Sequence, residues 1–393
     1  MQKKIRIAYD ITRLSQAGGN GGVKPLLYEF LKRICQFRSE SFHLIVLAKS
    51  EIVGELSFLA TLPNVEIYLS GDDTQVDPRS HKSPIPVIHY WTVAPESLLE
   101  SLRADLLYAG FGFSDFHNSK IPQISLLVDC LHNDLPYHLP ESEVAYRSDW
   151  YPKAIAQSSL IHTISDFCSI RIQFHYKVPQ DKILRTYLPL HSRFDTIDQA
   201  RLPDQLVDRP YFLYPANYWS HKNHEGLLLG YRQYLKATPD YKQWDLVLTG
   251  HIDERGQAIQ ELTKTLGIDK HIHFFQHLDD SSFKSIWEYA DALVFPSLYE
   301  GFGLPIVEAL HFQTPIACSN VASLPEITRD AALLFDPRKP SEIAHALTTL
   351  AENPTIRKDL VEKGRSILPE YQLDPEAEKL VLAIESLTPL SQY

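Results

Sequence analysis

The stretch SLYEGFGLPIVEAL, residues 297–310, lies where a strand-like run meets a helix-like run. The preceding run is short and apolar, as a buried strand is, and Pro305 suits the first position of a helix. In open α/β sheets, ligands bind beyond the carboxyl ends of the strands. A helix that begins there offers unpaired N–H groups and a partial positive charge to a phosphate. The stretch therefore predicts a phosphate-binding turn between two carboxylates, Glu300 and Glu308.

These two glutamates are suited to binding hydroxyl groups. A carboxylate has two oxygens that accept hydrogen bonds, which matches the diols of a sugar or a ribose. Gly301 and Gly303 allow the backbone to approach a ligand closely. Taken alone, either glutamate is more simply a solvated surface residue, so the hypothesis rests on the whole ordered stretch.

The same alternation of strand-like and helix-like runs extends along the chain. It begins at residues 5–11, restarts after a polar stretch at 196–210 that is typical of a linker, and predicts an α/β fold with two Rossmann-like domains. We expect an N-terminal domain over 1–195, a second domain over 196–371, and a C-terminal helix at about 372–393 that packs back on the first. Strands are predicted at residues 5–11, 42–48, 65–69, 106–108, 124–128, 160–164, 211–216, 244–250, 272–275, 292–297 and 315–319.

Composition narrows the class of protein. The chain has 393 residues, four cysteines and a net charge of −11. An acidic balance argues against nucleic-acid binding, which depends on Lys and Arg neutralising phosphates. The cysteines form no CxxC pair, which predicts buried thiols in a reducing compartment rather than a zinc site. No apolar run approaches the length of a membrane span, and no signal-peptide core opens the chain, so we expect a cytoplasmic protein.

Basic residues cluster near the N-terminus and leave two interpretations open. They form either a solvated face or a contact surface for anionic lipid or a phosphate-bearing acceptor. The second interpretation predicts a protein that is peripheral to the inner face of the membrane. The cluster comprises Lys3, Lys4, Arg6, Arg13, Lys24, Lys32 and Arg33.

The second half of the chain resembles the donor domain of glycosyltransferase family 4, which has the GT-B fold of two Rossmann-like domains facing each other across a cleft. The resemblance is carried by the E-x7-E stretch, by TPIACSNVASLPEI at 314–327, and by YPANYWSHKNHEGLL at 214–228. Lys222 matches the phosphate-binding lysine of the family, and Asn217 stands where many members have Arg. Gln276 and Gln313 replace glycines that are common in the family, and Leu278 matches the position whose backbone pairs with the nucleotide base.

The N-terminal half carries two further motifs of the family. Residues 128–140, VDCLHNDLPYHLP, resemble the D-x-x-H loop of one branch, with Asp129 and His132 at the matching positions. His132 is then the histidine on the sugar side, or else a histidine held by local packing. The glycine-rich loop before the first helix is either a plain turn or a loop near the donor phosphates and the acceptor. Its glycines are Gly18, Gly19, Gly21 and Gly22.

The resemblance implies a retaining hexosyltransferase of polysaccharide biosynthesis that needs no metal or other cofactor. It would move a hexose from an NDP-sugar to a hydroxyl of a glycan, a glycolipid or a small acceptor. Lys222 would bind the leaving diphosphate, Glu300 the sugar hydroxyls and Glu308 the ribose. The implied catalytic residues are Asp129, His132, Lys222 and Glu300. The implied donor-binding residues are Asn217, Lys222, Gln276, Leu278, Glu300, Gly301, Phe302, Gly303, Leu304 and Glu308.

Other functions use the same scaffold and stay open. One is an NDP-sugar epimerase, and another is a catalytically silent GT-B partner subunit, which the departures at Asn217, Gln276 and Gln313 favour. A nicotinamide oxidoreductase is a more distant alternative, because no G-x-G-x-x-G follows the first strand.

Overall fold

A computed structural model describes residues 4–15, 22–38, 40–62, 64–69, 88–90, 94–190, 194, 201–276 and 278–388. The chain divides into two compact units. The first unit consists of Met1–Asn133, Glu141–Pro189 and Leu373–Tyr393, and the second of Asp134–Pro140 and Leu190–Gln372. Each unit is built on one parallel sheet.

Apolar runs of the sequence form the strands of both sheets. Parallel strands buried on both faces have nearly continuous apolar sequences, and FHLIVLA at 42–48 is buried at every position but His43. The strands are β1 (Ile5–Asp10), β2 (Phe42–Ala48), β3 (Val65–Leu69), β4 (Ile88–Tyr90), β5 (Leu106–Ala109), β6 (Gln123–Leu126), β7 (Leu160–Thr163), β8 (Ile183–Arg185), β9 (Tyr211–Pro215), β10 (Asp245–Thr249), β11 (Ile272–Phe275), β12 (Ala292–Phe295), β13 (Ile316–Ser319) and β14 (Ala332–Phe335).

Helices alternate with these strands. The first helix buries Leu27, Phe30 and Ile34, whose spacing of three and four residues places them on one face. The helices are α1 (Val23–Phe37), α2 (Pro95–Ser101), α3 (Leu131–Asp134), α4 (Glu141–Gln157), α5 (Asp166–Tyr176), α6 (His224–Ala237), α7 (Glu254–Leu266), α8 (Asp280–Glu288), α9 (Leu304–His311), α10 (Leu324–Thr328), α11 (Pro340–Glu352), α12 (Pro354–Ile367) and α13 (Leu373–Leu387).

The first sheet has eight strands in the order β4-β3-β2-β1-β5-β6-β7-β8 among the described residues. Its strand pairs are parallel, for example Ile7 opposite Leu44 on one side and Leu106 on the other. The direction of strand addition reverses between β1 and β5. In such sheets the ligand site lies beyond the carboxyl ends of the two strands at the reversal.

The second sheet has the order β11-β10-β9-β12-β13-β14, and its strand pairs are also parallel. From β9 the chain adds β10 and β11 towards one edge of the sheet, and it then adds β12, β13 and β14 towards the other edge. The direction of strand addition therefore reverses between β9 and β12. The chain leaves the carboxyl end of β9 towards Lys222 and that of β12 towards Glu300. Strand order therefore brings the two loops singled out in the sequence to neighbouring positions.

The last helix, α13, belongs to the first unit. Its buried side chains include Leu380 and Ile384, and its Glu385 pairs with Arg38 at the end of α1 at 3.1 Å. Glu376, which is 4% exposed, accepts a hydrogen bond from the backbone N–H of Tyr187 at 2.8 Å. The chain therefore returns to its first unit after Gln372.

The predicted α/β fold with two Rossmann-like domains is confirmed. The predicted strands at 42–48, 65–69 and 272–275 agree with the structure residue for residue. The strands β4, β8 and β14 were not predicted. All three lie at sheet edges; β4 and β8 have only three residues each, and β8 and β14 are only partly buried.

Candidate functional site

The loops after β9 and β12 bring Lys222 and Glu300 together. Lys222 ends a short 3-10 turn, Ser220–Lys222, and its Nζ lies 2.6 Å from Oε1 of Glu300. The two side chains are 13% and 11% exposed, respectively. Two residues predicted from separate motifs therefore form one ion pair at the strand-order reversal of the second sheet.

The Lys222 turn is held by bonds to three neighbouring loops and strands. The Tyr214 hydroxyl donates to the carbonyl of Lys222 at 2.7 Å. The next residue, Asn223, adopts a left-handed conformation with φ of 60°, which Asn tolerates better than most residues. Its Nδ2 donates to the carbonyls of Pro296 at 3.0 Å and Pro337 at 2.8 Å. The position of Lys222 is thus tied to the loops that follow β12 and β14.

The turn into α9 requires its second glycine. Gly303 has φ of 98°, and a Cβ atom there would lie 2.7 Å from Cδ2 of Leu324. The Ser323 hydroxyl lies 3.0 Å from the carbonyl of Glu300 and 2.9 Å from that of Phe302, so it bridges the two. Any larger residue at 303 would strain this turn, and the turn sets where α9 begins.

The second glutamate of the stretch lies inside α9. Glu308 is 3% exposed, whereas Gly301 and Leu304 are half-buried and Phe302 is buried. A charged side chain is rarely this buried unless it has polar partners. Glu308 is therefore not the solvated helix residue that it would be in isolation.

Asn217 and Gln276 converge on the loop after β10. Oδ1 of Asn217 accepts a hydrogen bond from the backbone N–H of His251 at 3.1 Å, and Oε1 of Gln276 accepts from that of Ile252 at 3.4 Å. The same loop leaves no room at Gly250, where a Cβ atom would lie 2.5 Å from the carbonyl of Ala216. Both amide side chains thus support backbone that lies beside the Lys222 loop.

Two further residues singled out in the sequence are Leu278, whose backbone was predicted to pair with the base, and Gln313, which replaces a common glycine. Leu278 is half-buried in the segment before α8. Gln313 has φ of 57°, in the left-handed region that favours glycine, and its side chain bonds to Arg365. The conformation at 313 explains why glycine suits that position.

Two residues near the start of α6, His224 and Arg255, interact electrostatically with Lys222 or with each other. The His224 ring lies between those of Tyr214 and Tyr218, tilted against both, with ring centroids 4.8 and 4.6 Å away. Burial, and then the charges of Lys222 and Arg255, lower the pKa of His224 to about 3. Arg255, in the first turn of α7, forms an ion pair with Glu225. No sequence pattern singles out Arg255, because one arginine in a polar helix is ordinary.

A second residue that was not singled out in the sequence lies in the same unit. His138 belongs to the 134–140 segment, which is part of the second unit, and its Nδ1 lies 2.7 Å from the Ser220 hydroxyl. In the same segment, Oδ2 of Asp134 accepts a hydrogen bond from the Tyr299 hydroxyl at 2.9 Å. Only the tertiary structure brings this segment to the loops that carry Lys222 and Glu300.

Asp129 and His132 are engaged within the first unit. Oδ1 of Asp129 accepts hydrogen bonds from the N–H of Leu131 at 2.9 Å and from Arg147 at 3.0 Å. His132 is 2% exposed, and its Nε2 lies 2.8 Å from the hydroxyl of Tyr176. Both side chains are thus described by their partners within the first unit.

The carboxyl end of β1 carries a buried carboxylate that was not predicted. Asp10 accepts hydrogen bonds from the hydroxyls of Ser114 at 2.6 Å and Thr12 at 2.7 Å. Burial raises the pKa of Asp10, against these hydrogen bonds, which lower it. Of the predicted glycine-rich loop, Gly22 directly precedes α1 and is exposed, while Gly18, Gly19 and Gly21 lie outside the described residues.

In the described part of the chain, no group of His, Cys, Asp and Glu side chains is arranged to hold a metal ion. No helix there is both long enough and apolar enough to cross a membrane.

Known proteins resemble this chain in sequence and in fold. Residues 198–367 match the family model described as Glycosyl transferases group 1. The chain is 29% identical over 280 residues to the O-antigen chain mannosyltransferase B of Escherichia coli, covering 69% of this chain and 73% of that protein. It is 20% identical over 256 residues to the O-antigen chain mannosyltransferase RfbU of Salmonella typhimurium, covering 65% and 68% of the two chains.

Solved structures extend the likeness to the whole chain. The structure of Anabaena Alr3699/HepE in complex with UDP and glucose covers 97% of this chain and 100% of its own, with a TM-score of 0.69 at 14% identity. With two Rossmann-like units and neighbours of this kind, the chain has an α/β GT-B fold, and its matches in sequence support a glycosyltransferase.

Proposed function

We propose that this chain is a retaining hexosyltransferase of the family 4 kind, which moves a hexose from an NDP-sugar to a hydroxyl of a glycan, a glycolipid or a small acceptor. The observation that carries the proposal is the Lys222–Glu300 pair, 2.6 Å apart at the strand-order reversal of a sheet whose next helix contains Glu308. The names of the E. coli and Salmonella relatives add mannose as a candidate sugar and O-antigen polysaccharide as a candidate product class.

In this proposal the second unit binds the donor. Lys222 and the N–H groups at the start of α9 bind the diphosphate, because both offer positive charge at one end of the sheet. Glu300 accepts hydrogen bonds from sugar hydroxyls and Glu308 from the ribose. The backbone at Leu278 pairs with the base, and Asn217 and Gln276 act through the 251–252 loop that their side chains hold. The first unit, with Asp129 and His132, is the acceptor side.

Lys222 carries two tasks in this scheme. When the glycosidic bond to phosphate breaks, negative charge develops on the leaving diphosphate, and a fixed cation stabilises it. In the free protein the same ammonium is occupied by Glu300. It has three N–H donors, so it can bind a phosphate oxygen while it keeps Glu300 oriented towards the sugar. A protein cation and helix N–H groups supply the charge that a metal ion supplies in other transferases, so the proposal includes no metal.

Retention of the anomeric configuration follows from how the carboxylates are used. An inverting enzyme needs a general base opposite the leaving group. In this proposal Glu300 and Glu308 are both committed to donor hydroxyls. A front-side reaction needs no such base, because the departing phosphate oxygen accepts the acceptor proton. Proton NMR of the product from an α-linked donor tests this: an α product supports retention and a β product contradicts it.

A panel of UDP-, GDP- and ADP-sugars tests the donor assignment. A ligand at 100 times its Kd stabilises the folded state by roughly 2.7 kcal/mol, so one nucleotide class should raise the melting temperature. Turnover with an acceptor glycan, retained in excess EDTA, would support a metal-independent transferase. Isomerisation of the donor without acceptor would indicate an epimerase, and no shift with any nucleotide would indicate a silent subunit.

A further inference from the structure

The 134–140 segment is attached to both loops of the candidate donor site. It belongs to the second unit, although the chain on either side of it belongs to the first. His138 Nδ1 lies 2.7 Å from the hydroxyl of Ser220, which is in the same 3-10 turn as Lys222. Tyr299, the residue before Glu300, donates to Asp134 at 2.9 Å. Each attachment therefore lies beside one member of the Lys222–Glu300 pair.

His138 lies in a positively charged environment. It is half-buried, and burial lowers its pKa, as do the charges of Arg255 and Arg338, while Glu225 opposes them. These charges come from three elements, namely the first turns of α7 and α6 and the loop after β14. The imidazole is therefore neutral near neutral pH. An anion that enters here would offset the two arginines and favour the protonated ring.

The second ring nitrogen of His138 is available. Nδ1 is occupied by Ser220, and among the described residues Nε2 has no hydrogen-bond partner. A hydrogen bond at Nδ1 orients the ring and leaves Nε2 for a ligand. The geometry thus provides an oriented imidazole with one free nitrogen. Its bonding partner, Ser220, precedes Lys222 by two residues in the same 3-10 turn.

We infer that His138 is a diphosphate-binding residue, whose Nε2 bonds to a phosphate oxygen of the nucleotide held by Lys222 and whose ring takes up one proton from solvent as the nucleotide binds. The inference rests on the proposed function, since it places the nucleotide at the Lys222–Glu300 pair. It assigns to His138 a contact that the sequence did not assign to any histidine of the second unit.

Calorimetry with GDP, UDP and ADP as probes, in two buffers of different ionisation enthalpy, measures both the affinity and the proton uptake. The test variant is His138→Gln, whose amide retains a hydrogen-bonding group for Ser220 but does not titrate. The control is His345→Gln, at an exposed position of α11 in the same unit. A melting temperature close to that of the wild type shows that each variant is folded.

The wild type should bind its preferred nucleotide with an added proton that His138→Gln lacks. A one-unit rise in the pKa of the bound histidine strengthens binding tenfold at pH values below both the free and the bound pKa, so the variant should bind up to about tenfold more weakly in mild acid. Proton uptake should be largest between the two pKa values. Above the pKa of the bound ring the histidine is neutral in both states, so the difference in affinity should disappear. The imidazole resonance of His138 should move on addition of the preferred nucleotide while that of His345 does not.

Two failures have different meanings. If the wild type binds none of GDP, UDP and ADP, the proposed function and this inference are both overturned. If wild type and His138→Gln bind equally, with equal proton uptake, His138 only anchors the 134–140 segment. That result overturns the inference and leaves the proposed function standing.

Discussion

Nζ of Lys222 lies 2.6 Å from Oε1 of Glu300, between residues that are 78 positions apart in the chain. Each side chain was predicted to bind a different part of the donor, and in the free protein each neutralises the other. Both are largely shielded from solvent, so removal of either one leaves its partner without a counter-ion. Variants at this pair should therefore affect both activity and stability, and the two effects can be separated.

Lys222→Ala should reduce kcat by about 100- to 1,000-fold, because a donor aimed at charge that develops in the transition state is lost. The free energy of unfolding should fall by a smaller amount, about 1–3 kcal/mol, because Glu300 loses a charged hydrogen bond. Steady-state kinetics and urea unfolding measure the two effects. Lys236→Ala, at an exposed position of α6, is the control. Wild-type kcat in Lys222→Ala would show that the lysine does not act on the leaving group.

The double variant Lys222→Met with Glu300→Gln should recover part of that stability without activity. Neither new side chain carries a charge, so no unpaired ion remains in the shielded site. A double-mutant cycle in urea measures the coupling. Strictly additive losses would mean that the pair contributes nothing to the folded state.

Glu308→Gln should weaken binding of the free nucleotide by about 1.5–3 kcal/mol, because the ribose hydroxyls lose a charged acceptor. Isothermal calorimetry with the nucleotide identified in the donor panel measures this loss. Glu362→Gln, at an exposed position of α12, provides the matched control. Unchanged affinity in Glu308→Gln would remove this carboxylate from the site and leave its burial as a structural feature.

His132→Ala should destabilise the protein by about 1–3 kcal/mol, because the Tyr176 hydroxyl loses a buried partner. It should also impair transfer, if His132 acts on the sugar side, while affinity for the nucleotide alone stays nearly constant. Unfolding in urea, turnover and calorimetry separate these effects. Tyr176→Phe removes the same hydrogen bond but keeps the imidazole of His132. Normal turnover in Tyr176→Phe would therefore show that any loss of activity in His132→Ala comes from the missing imidazole. Loss of nucleotide affinity in His132→Ala would contradict the assignment.

His224→Phe should make the protein less sensitive to acid. The pKa of His224 is lowered to about 3 in the folded state, so between that value and about 6.5 the unfolded state binds more protons. The free energy of unfolding of the wild type should therefore fall as pH falls through this window. Phe keeps the ring contacts with Tyr214 and Tyr218 but does not titrate, so the slope should decrease by about 1.4 kcal/mol per pH unit. Urea unfolding at several pH values measures the slope, and equal slopes would contradict this account.

The architecture followed from local patterns. Runs such as residues 42–48 and 272–275 are apolar at nearly every position because parallel strands are covered on both faces, and the structure has strands at those residues. The edge strands β4 and β8, of three residues each, are too short for such a run, and β14, an apolar run of four residues at the edge of the second sheet, was also missed. The loop around Glu300 was identified for a related reason: a strand that ends before glycines, a proline and a helix marks the edge of the sheet where ligands bind. The loop around Lys222 was identified from its resemblance to family 4.

The partners of the site residues were decided by the tertiary structure alone. No local period indicates that Lys222 pairs with Glu300, that Asn217 and Gln276 both hold the 251–252 loop, or that His132 is buried while His138 lies beside Ser220. A sequence pattern reports which side chains face a core and where elements end, since those depend on neighbours along the chain. Which loops meet depends on strand order, and the separations involved, such as 78 and 82 residues, are beyond the range of any local signal.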